Sequence, residues 1–272
     1  MRKSLTFFSV LVACSGVFNS CSESHEETMT VPSSVRSQLT SLGFDLIKHP
    51  PIAVENGYIV EGDIFLTQAD MDNMKPATKV AVAEQYSTNQ LVTGLPRTIT
   101  VYIPTSSFSA TYVSAVDEAI SRYNALNLSL HFTRVTSATG ATMQFTRLSK
   151  SQERQGVLGS SGFPTSSGNP YGTIQMSGVL ESTYHLTVNG IATIMAHEMG
   201  HCIGFRHTDY YNRAISCGGS TSNEGAGTTG ANLIPGTPST ATLAAASWML
   251  ACTDGSNRYF NNDDKTALNY LY

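Results

Sequence analysis

The chain has 272 residues, of which 41% are hydrophobic and 13% charged, and its formal net charge is −4. That length excludes a disulfide-held miniprotein and allows one or two domains with a sizeable core. The slight acidic balance argues against a nucleic-acid partner, which would call for a basic face.

In chain order, Met1-Arg2-Lys3 is a short positive segment, and Leu5 to Phe18 form an apolar run. That run is too short to span a bilayer, which takes about 20 apolar residues. It reads as a secretory signal peptide over residues 1–20. Cys21, behind the small Ser20 and ahead of an acidic run, resembles the lipidated cysteine of bacterial lipoproteins; Cys14 is a weaker alternative. The resemblance implies a lipid anchor in a bacterial cell envelope, with free secretion as the other outcome.

Residues 21–95 read as a pro-segment and linker. A short helical pattern surrounds Val35, Leu39 and Leu42, strand-like alternation follows around Tyr58, Val60 and Ile64, and residues 67–94 show no clear period. Regular structure resumes at Thr98-Ile99-Thr100-Val101-Tyr102-Ile103, a β-branched and aromatic strand ended by Pro104. Tyr112, Val116, Ala119, Ile120 and Tyr123 recur at helical spacing. Residues 128–135, 142–146 and 172–177 read as strands, and the Gly, Ser and Pro content of residues 156–172 as a surface loop. A second long helix is expected over 188–203, an irregular loop over 216–240 and a short terminal helix over 263–271, capped by Asn261 or Asn262.

The stretch His197-Glu198-Met199-Gly200-His201-Cys202-Ile203-Gly204-Phe205-Arg206-His207 concentrates the chemistry. Residues four apart on a helix are rotated by only about 40°, so His197 and His201 point the same way and can share one metal ion. Glu198 lies beside them, where a general base would act on a metal-bound water. On a continuing helix His207 would lie about 240° away from His201, so the chain must leave the helix first. Gly204 is placed for that exit, since helices commonly stop at a glycine in the left-handed conformation. Three protein ligands and a free position are the coordination of catalytic rather than structural zinc.

With that helix, and with Ser247-Trp248-Met249 downstream as a candidate methionine turn, the sequence resembles the metzincins. More narrowly, His197 through Asp209, Ile234-Pro235-Gly236-Thr237-Pro238 and Asp264 through Tyr272 resemble the bacterial dual-action HEIGH metallopeptidases. One departure is Met199, where that family's name has Ile. Astacins are more distant; they place a zinc-reaching tyrosine where this chain has Ala251.

The resemblance implies an α+β catalytic domain over residues 96–272. A small twisted sheet and two long helices would lie above a cleft, with an irregular C-terminal subdomain carrying the methionine turn and terminal helix. It further implies Zn2+ and a protein or peptide substrate, with Met249 packed beneath the ligands. Val60-Glu61-Gly62-Asp63-Ile64 resembles the short pro-segment motif of astacins, in which an aspartate holds the zinc in place of water. Asp63 is thus a candidate latency ligand, the alternative being a turn between two short strands.

Further expectations concern single features. Asp209 either orients His207 or caps a turn. Cys217 and Cys252 are expected to pair, and Cys202 to be a buried small residue or a disulfide partner. His131 and His185 are expected to be structural or exposed. The strand at 172–177 is the candidate edge for an extended substrate. A catalytically inactive zinc-containing adhesin or binding lipoprotein is the competing function. An intact Glu198, which a structural zinc site does not need, argues against it.

Overall fold

The computed structural model describes residues 30–74, 85–226, 229–238 and 241–272; the proposed signal peptide and Cys21 lie outside the described residues. The described N-terminal residues run through α1 (Ser33–Ser41), then an antiparallel meander of β1 (Ile52–Val54), β2 (Gly57–Val60) and β3 (Ile64–Leu66), then α2 (Gln68–Asn73). A reciprocal capping box between Thr67 and Asp70 starts α2 and satisfies two of its free N–H groups. Val35 and Leu39 of α1 pack with Leu42, Phe44, Val60, Ile64, Leu66 and Met71 into a core of their own. The sequence shows no strong core pattern here because each element is too short to display a period.

Residues 67–94, read from the sequence as a linker, contain α2 and also β4 (Tyr86–Ser87), which pairs with β10 (Asn232–Leu233). Gln85 and Tyr86 are fully buried, and the Tyr86 carbonyl accepts from the Arg206 N–H at 2.8 Å. Gln85 and Tyr86 are thus packed against residues of the C-terminal part of the chain.

The main sheet contains β5 (Arg97–Tyr102), β6 (Leu130–Val135), β7 (Met143–Arg147), β8 (Gly159–Ser160) and β9 (Thr173–Met176), in the order β6-β5-β7-β9-β8. Four strands are parallel, and β8 is antiparallel at one edge. Parallel neighbours need crossovers, and α3 (Ala110–Asn124) supplies the one between β5 and β6. Ile99 and Val101 alternate inward from β5 and meet the apolar stripe of Tyr112, Ala115, Val116, Ala119 and Tyr123.

Helix α5 (Val188–Cys202) packs on α3 and is buried continuously from Gly190 to Cys202. A helix apolar on nearly all sides has to lie inside a core. A short α4 (Lys150–Arg154) joins β7 to β8, and after α5 come α6 (Ala214–Cys217), a 3-10 turn (Leu243–Ala245) and α7 (Asn262–Leu271). The architecture is α+β, with the two long helices against the sheet and a C-terminal region poor in regular structure.

Asp264 closes that region. Its carboxylate accepts from Ser247 Oγ at 2.7 Å, the Trp248 N–H at 3.3 Å, the Asn261 N–H at 2.9 Å and Gln85 Nε2. Burial pushes its carboxyl up to about 6, against the pull of these donors. An unfolded aspartate titrates at about 3.9, so the folded state binds this proton more tightly. The contribution is complete below about pH 4 and is lost as pH rises through about 6, roughly 3 kcal/mol in all. Wild-type unfolding free energy relative to Asp264→Asn should fall by about that amount between pH 4 and pH 7 in denaturant titrations. A difference that stays flat with pH would mean that Asp264 titrates as an ordinary aspartate.

Candidate metal centre

Helix α5 ends by the geometry that its glycine requires. Gly204 has φ of +108°; its N–H bonds the His201 carbonyl at 2.9 Å, and the Phe205 N–H bonds the Gly200 carbonyl at 2.9 Å. These are the paired bonds of a Schellman stop. A side chain at Gly204 would also collide with the Gln90 carbonyl and Leu91. The turn swings His207 back toward the helix. His201 Nε2 lies 3.0 Å from His197 Nε2 and 3.2 Å from His207 Nε2.

Each ring is oriented from behind. His197 Nδ1 meets the Trp248 carbonyl at 2.8 Å, His201 Nδ1 the Phe205 carbonyl at 2.8 Å, and His207 Nδ1 the Glu224 carboxylate at 2.7 Å. With every Nδ1 so engaged, the three Nε2 lone pairs face one point, which is how metal-binding histidines are held. Burial lowers the His201 pKa well below its ordinary value, favouring the neutral, ligating ring. Asp63 completes the group, its Oδ2 lying 3.0 Å from His207 Nε2 and 3.5 Å from His197 Nε2. Three histidines and this carboxylate form a set able to hold a metal ion. Three imidazoles and one carboxylate oxygen suit zinc.

Glu198 is buried next to this group, and Ser161 Oγ donates to its Oε2 at 2.7 Å. Burial, and then repulsion from Asp63, push its carboxyl well above the usual carboxylate range. Gly159 lets the edge of the sheet come close: a Cβ there would sit 2.5 Å from Glu198 Oε1. A cavity of about 220 Å³ opens beside Asp63 and Glu198, with Val157, Ile194 and Leu250 among its walls and Arg213 and Arg258 bordering it.

Residues 58–272 match the dual-action HEIGH metallo-peptidase family. The chain belongs to that family. As a dual-action HEIGH metallo-peptidase it is a zinc-dependent protease, acting on protein or peptide substrates. No curated protein matches the chain. Among solved structures it is similar to myroilysin, at 15% identity over 67% of this chain and 82% of the other, with a TM-score of 0.41. It is also similar to high choriolytic enzyme 1, a hatching-enzyme zinc protease of the medaka fish Oryzias latipes. That likeness is 16% identical over 74% of this chain and 98% of the other, with a TM-score of 0.37. The family membership rests on the sequence match.

Within this HEIGH metallo-peptidase, Met249 lies under the ligand helix, fully buried. A Cβ on Gly200 would meet its Sδ at 2.6 Å, and the Met249 carbonyl accepts from the Thr208 N–H at 2.8 Å. Met249→Ala should cost about 2–5 kcal/mol, as large-to-small changes in cores do. Thermal unfolding and zinc titration would show stability falling more than zinc affinity. Unchanged stability and activity would remove Met249 from the base of the site.

The structure departs from some expectations and meets others. The 173–176 strand is interior, flanked by β7 and β8, and the edge is β8, inside the stretch read as a loop. Two strand residues leave too little pattern to recognise. Asp209 does not touch His207; it accepts from Ser216 Oγ at 2.6 Å and from the Ala251 N–H at 2.9 Å, fastening the turn after the ligands. Glu224, which does hold His207, stands in a loop rich in Gly, Ser and Thr that carries no periodic signal. Cys217 and Cys252 are bonded, with Cα atoms 5.1 Å apart, and Cys202 is a free, buried thiol. His131 and His185 are exposed, and Ala251 stands at the cavity wall.

Proposed function

We propose that the chain is made as a latent precursor of a zinc endopeptidase. In this reading His197, His201 and His207 are the zinc ligands, Glu198 moves the proton, and Asp63 fills the fourth position until the leader is removed. The observation that carries it is the Asp63 carboxylate, whose Oδ2 lies 3.0 Å from His207 Nε2 and 3.5 Å from His197 Nε2, so that it would be a ligand of a metal held by the three rings.

Zinc held there supplies a Lewis acid that acidifies water and polarises a peptide carbonyl. Glu198 takes the water's proton as general base and returns it to the leaving amine as general acid. Its raised pKa suits a group that must hold a proton between those two transfers. Ser161 fixes the carboxylate by its Oγ bond to Oε2. With Asp63 in place neither water nor a carbonyl can reach the centre.

The test compares the intact protein with protein digested until no leader fragment remains, followed by mass spectrometry and cleavage of denatured protein. The intact form should be nearly inactive and the leader-free form active and chelator-sensitive. Equal activity in both would end the latency reading.

The same reading places the precursor in a bacterial envelope, anchored through lipid on Cys21. Mass spectrometry of the N-terminal peptide from the native host should find that lipid. An unmodified peptide starting elsewhere, from protein free in the medium, would sink the anchor.

A further inference from the structure

The leader is held by far more than Asp63. Glu61 and Gly62 both have positive φ, 53° and 95°, and form the tight turn that pushes the β2–β3 tip into the cleft. The Glu61 side chain is 2% exposed, and its Oε2 accepts from Arg206 Nη2 at 2.8 Å. Its backbone carbonyl accepts from Arg213 Nη1 at 2.7 Å. Arg206 is itself buried and donates to the Ala226 and Gly230 carbonyls; its other carboxylate neighbour, Glu224, is 3.5 Å away. Glu61 is thus the nearer of the two counter-charges of a guanidinium that has no access to water.

Apolar and main-chain contacts surround this pair. Ile59 packs with Leu148 and Val157, and Phe163 enters the leader's own core. The Phe65 N–H bonds the Ser161 carbonyl at 2.8 Å, and the Ser161 N–H bonds the Asp63 carbonyl at 3.0 Å. On the far side His49 Nε2 meets Ser222 Oγ at 2.9 Å. None of these contacts depends on the covalent link between leader and catalytic unit, and none needs a metal.

We propose that the leader is an inhibitor anchored by Glu61 in the slot formed by Arg206 and Arg213, and that it stays seated after the chain is cut between Met74 and Gln85. Activation then takes a second event, the destruction of the leader itself. The inference rests on the latency reading above and adds what keeps the blocking carboxylate in place. Cutting a tether removes the high effective concentration of the linked segment but none of its contacts. Removing one partner of a buried, hydrogen-bonded charge pair acts mainly on the rate of departure.

The experiment uses the full chain with a recognition sequence for a specific protease placed between Met74 and Gln85. After cutting, gel filtration and cleavage of a denatured protein are measured, with gel filtration repeated on zinc-free protein. Cut wild type should elute as one complex and stay inactive. Cut Glu61→Gln should lose its leader about 30-fold faster or more, and gain activity as it does. Glu55→Gln, an exposed site in the same leader, should behave as wild type. Should Glu61→Gln fail to fold, Glu61→Asp, one methylene shorter with its charge kept, should show faster release than wild type. Immediate separation and full activity of the cut wild type would overturn the proposal, as would release from Glu61→Gln at the wild-type rate. If the intact protein is already active, latency fails instead, while elution still reports whether the leader is docked.

Discussion

Glu198→Ala, in leader-free protein, is expected to bind zinc at near-normal stoichiometry and yet lose proteolysis by about 10²–10⁴-fold, the usual weight of a positioned acid–base group. The two properties separate because Glu198 is not among the residues grouped around the metal position, which are Asp63, His197, His201 and His207. Its carboxylate is tied instead to Ser161. His201→Ala provides the contrast, since it removes the ring central to the three and should lose the metal as well as the activity. Zinc content by elemental analysis alongside cleavage of denatured protein distinguishes the two variants. A Glu198→Ala protein with substantial activity would end the general-base assignment.

Asp63→Ala in the intact chain should act in the opposite direction, raising activity or producing self-processing without added protease. The native carboxylate is held well below the usual carboxylate range, because His207 and the other imidazoles outweigh the cost of its burial. It therefore stays an anion and a good ligand. On the proposed reading, removing it frees the position facing the three rings while Glu61 still holds its own pairing with Arg206. The gain should thus be clearest on small peptides that can enter past the docked tip. A lost contact worth only ~1.4 kcal/mol already shifts the blocked population tenfold, so a rise of about tenfold or more is expected. The readout is initial rate on a short peptide, with gel analysis of the leader over the same period. An Asp63→Ala precursor as silent as wild type would assign the block to the leader's bulk rather than to its aspartate.

Much of the centre follows from local chain geometry. His197 and His201 sit one helical turn apart, Glu198 rides between them, and Gly204 supplies the one backbone conformation that can return His207 to the same point. Those are short-range facts, set by the 3.6-residue period and by the lack of a Cβ at one position. The helical stripe of α3 and the alternation of β5 were legible for the same reason. Cys217 and Cys252 could be paired because they are the cysteines of the loop-rich C-terminal part.

What orients the rings was not legible. Two of the three Nδ1 partners are backbone carbonyls, of Trp248 and Phe205, and a carbonyl has no residue identity to read. The third, Glu224, is one carboxylate among many until the loop folds beside His207. The edge strand β8 and the core of the leader are built from pieces of two to nine residues, below the length at which a period emerges. That Asp63 meets residues 134 to 144 positions further along the chain, and that Glu61 meets Arg206, are long-range pairings. The chemistry of the ligands was determined by the sequence. The partners that aim them, and the leader that covers them, were decided only by tertiary structure, because contacts so distant along the chain exist only once the intervening elements have packed.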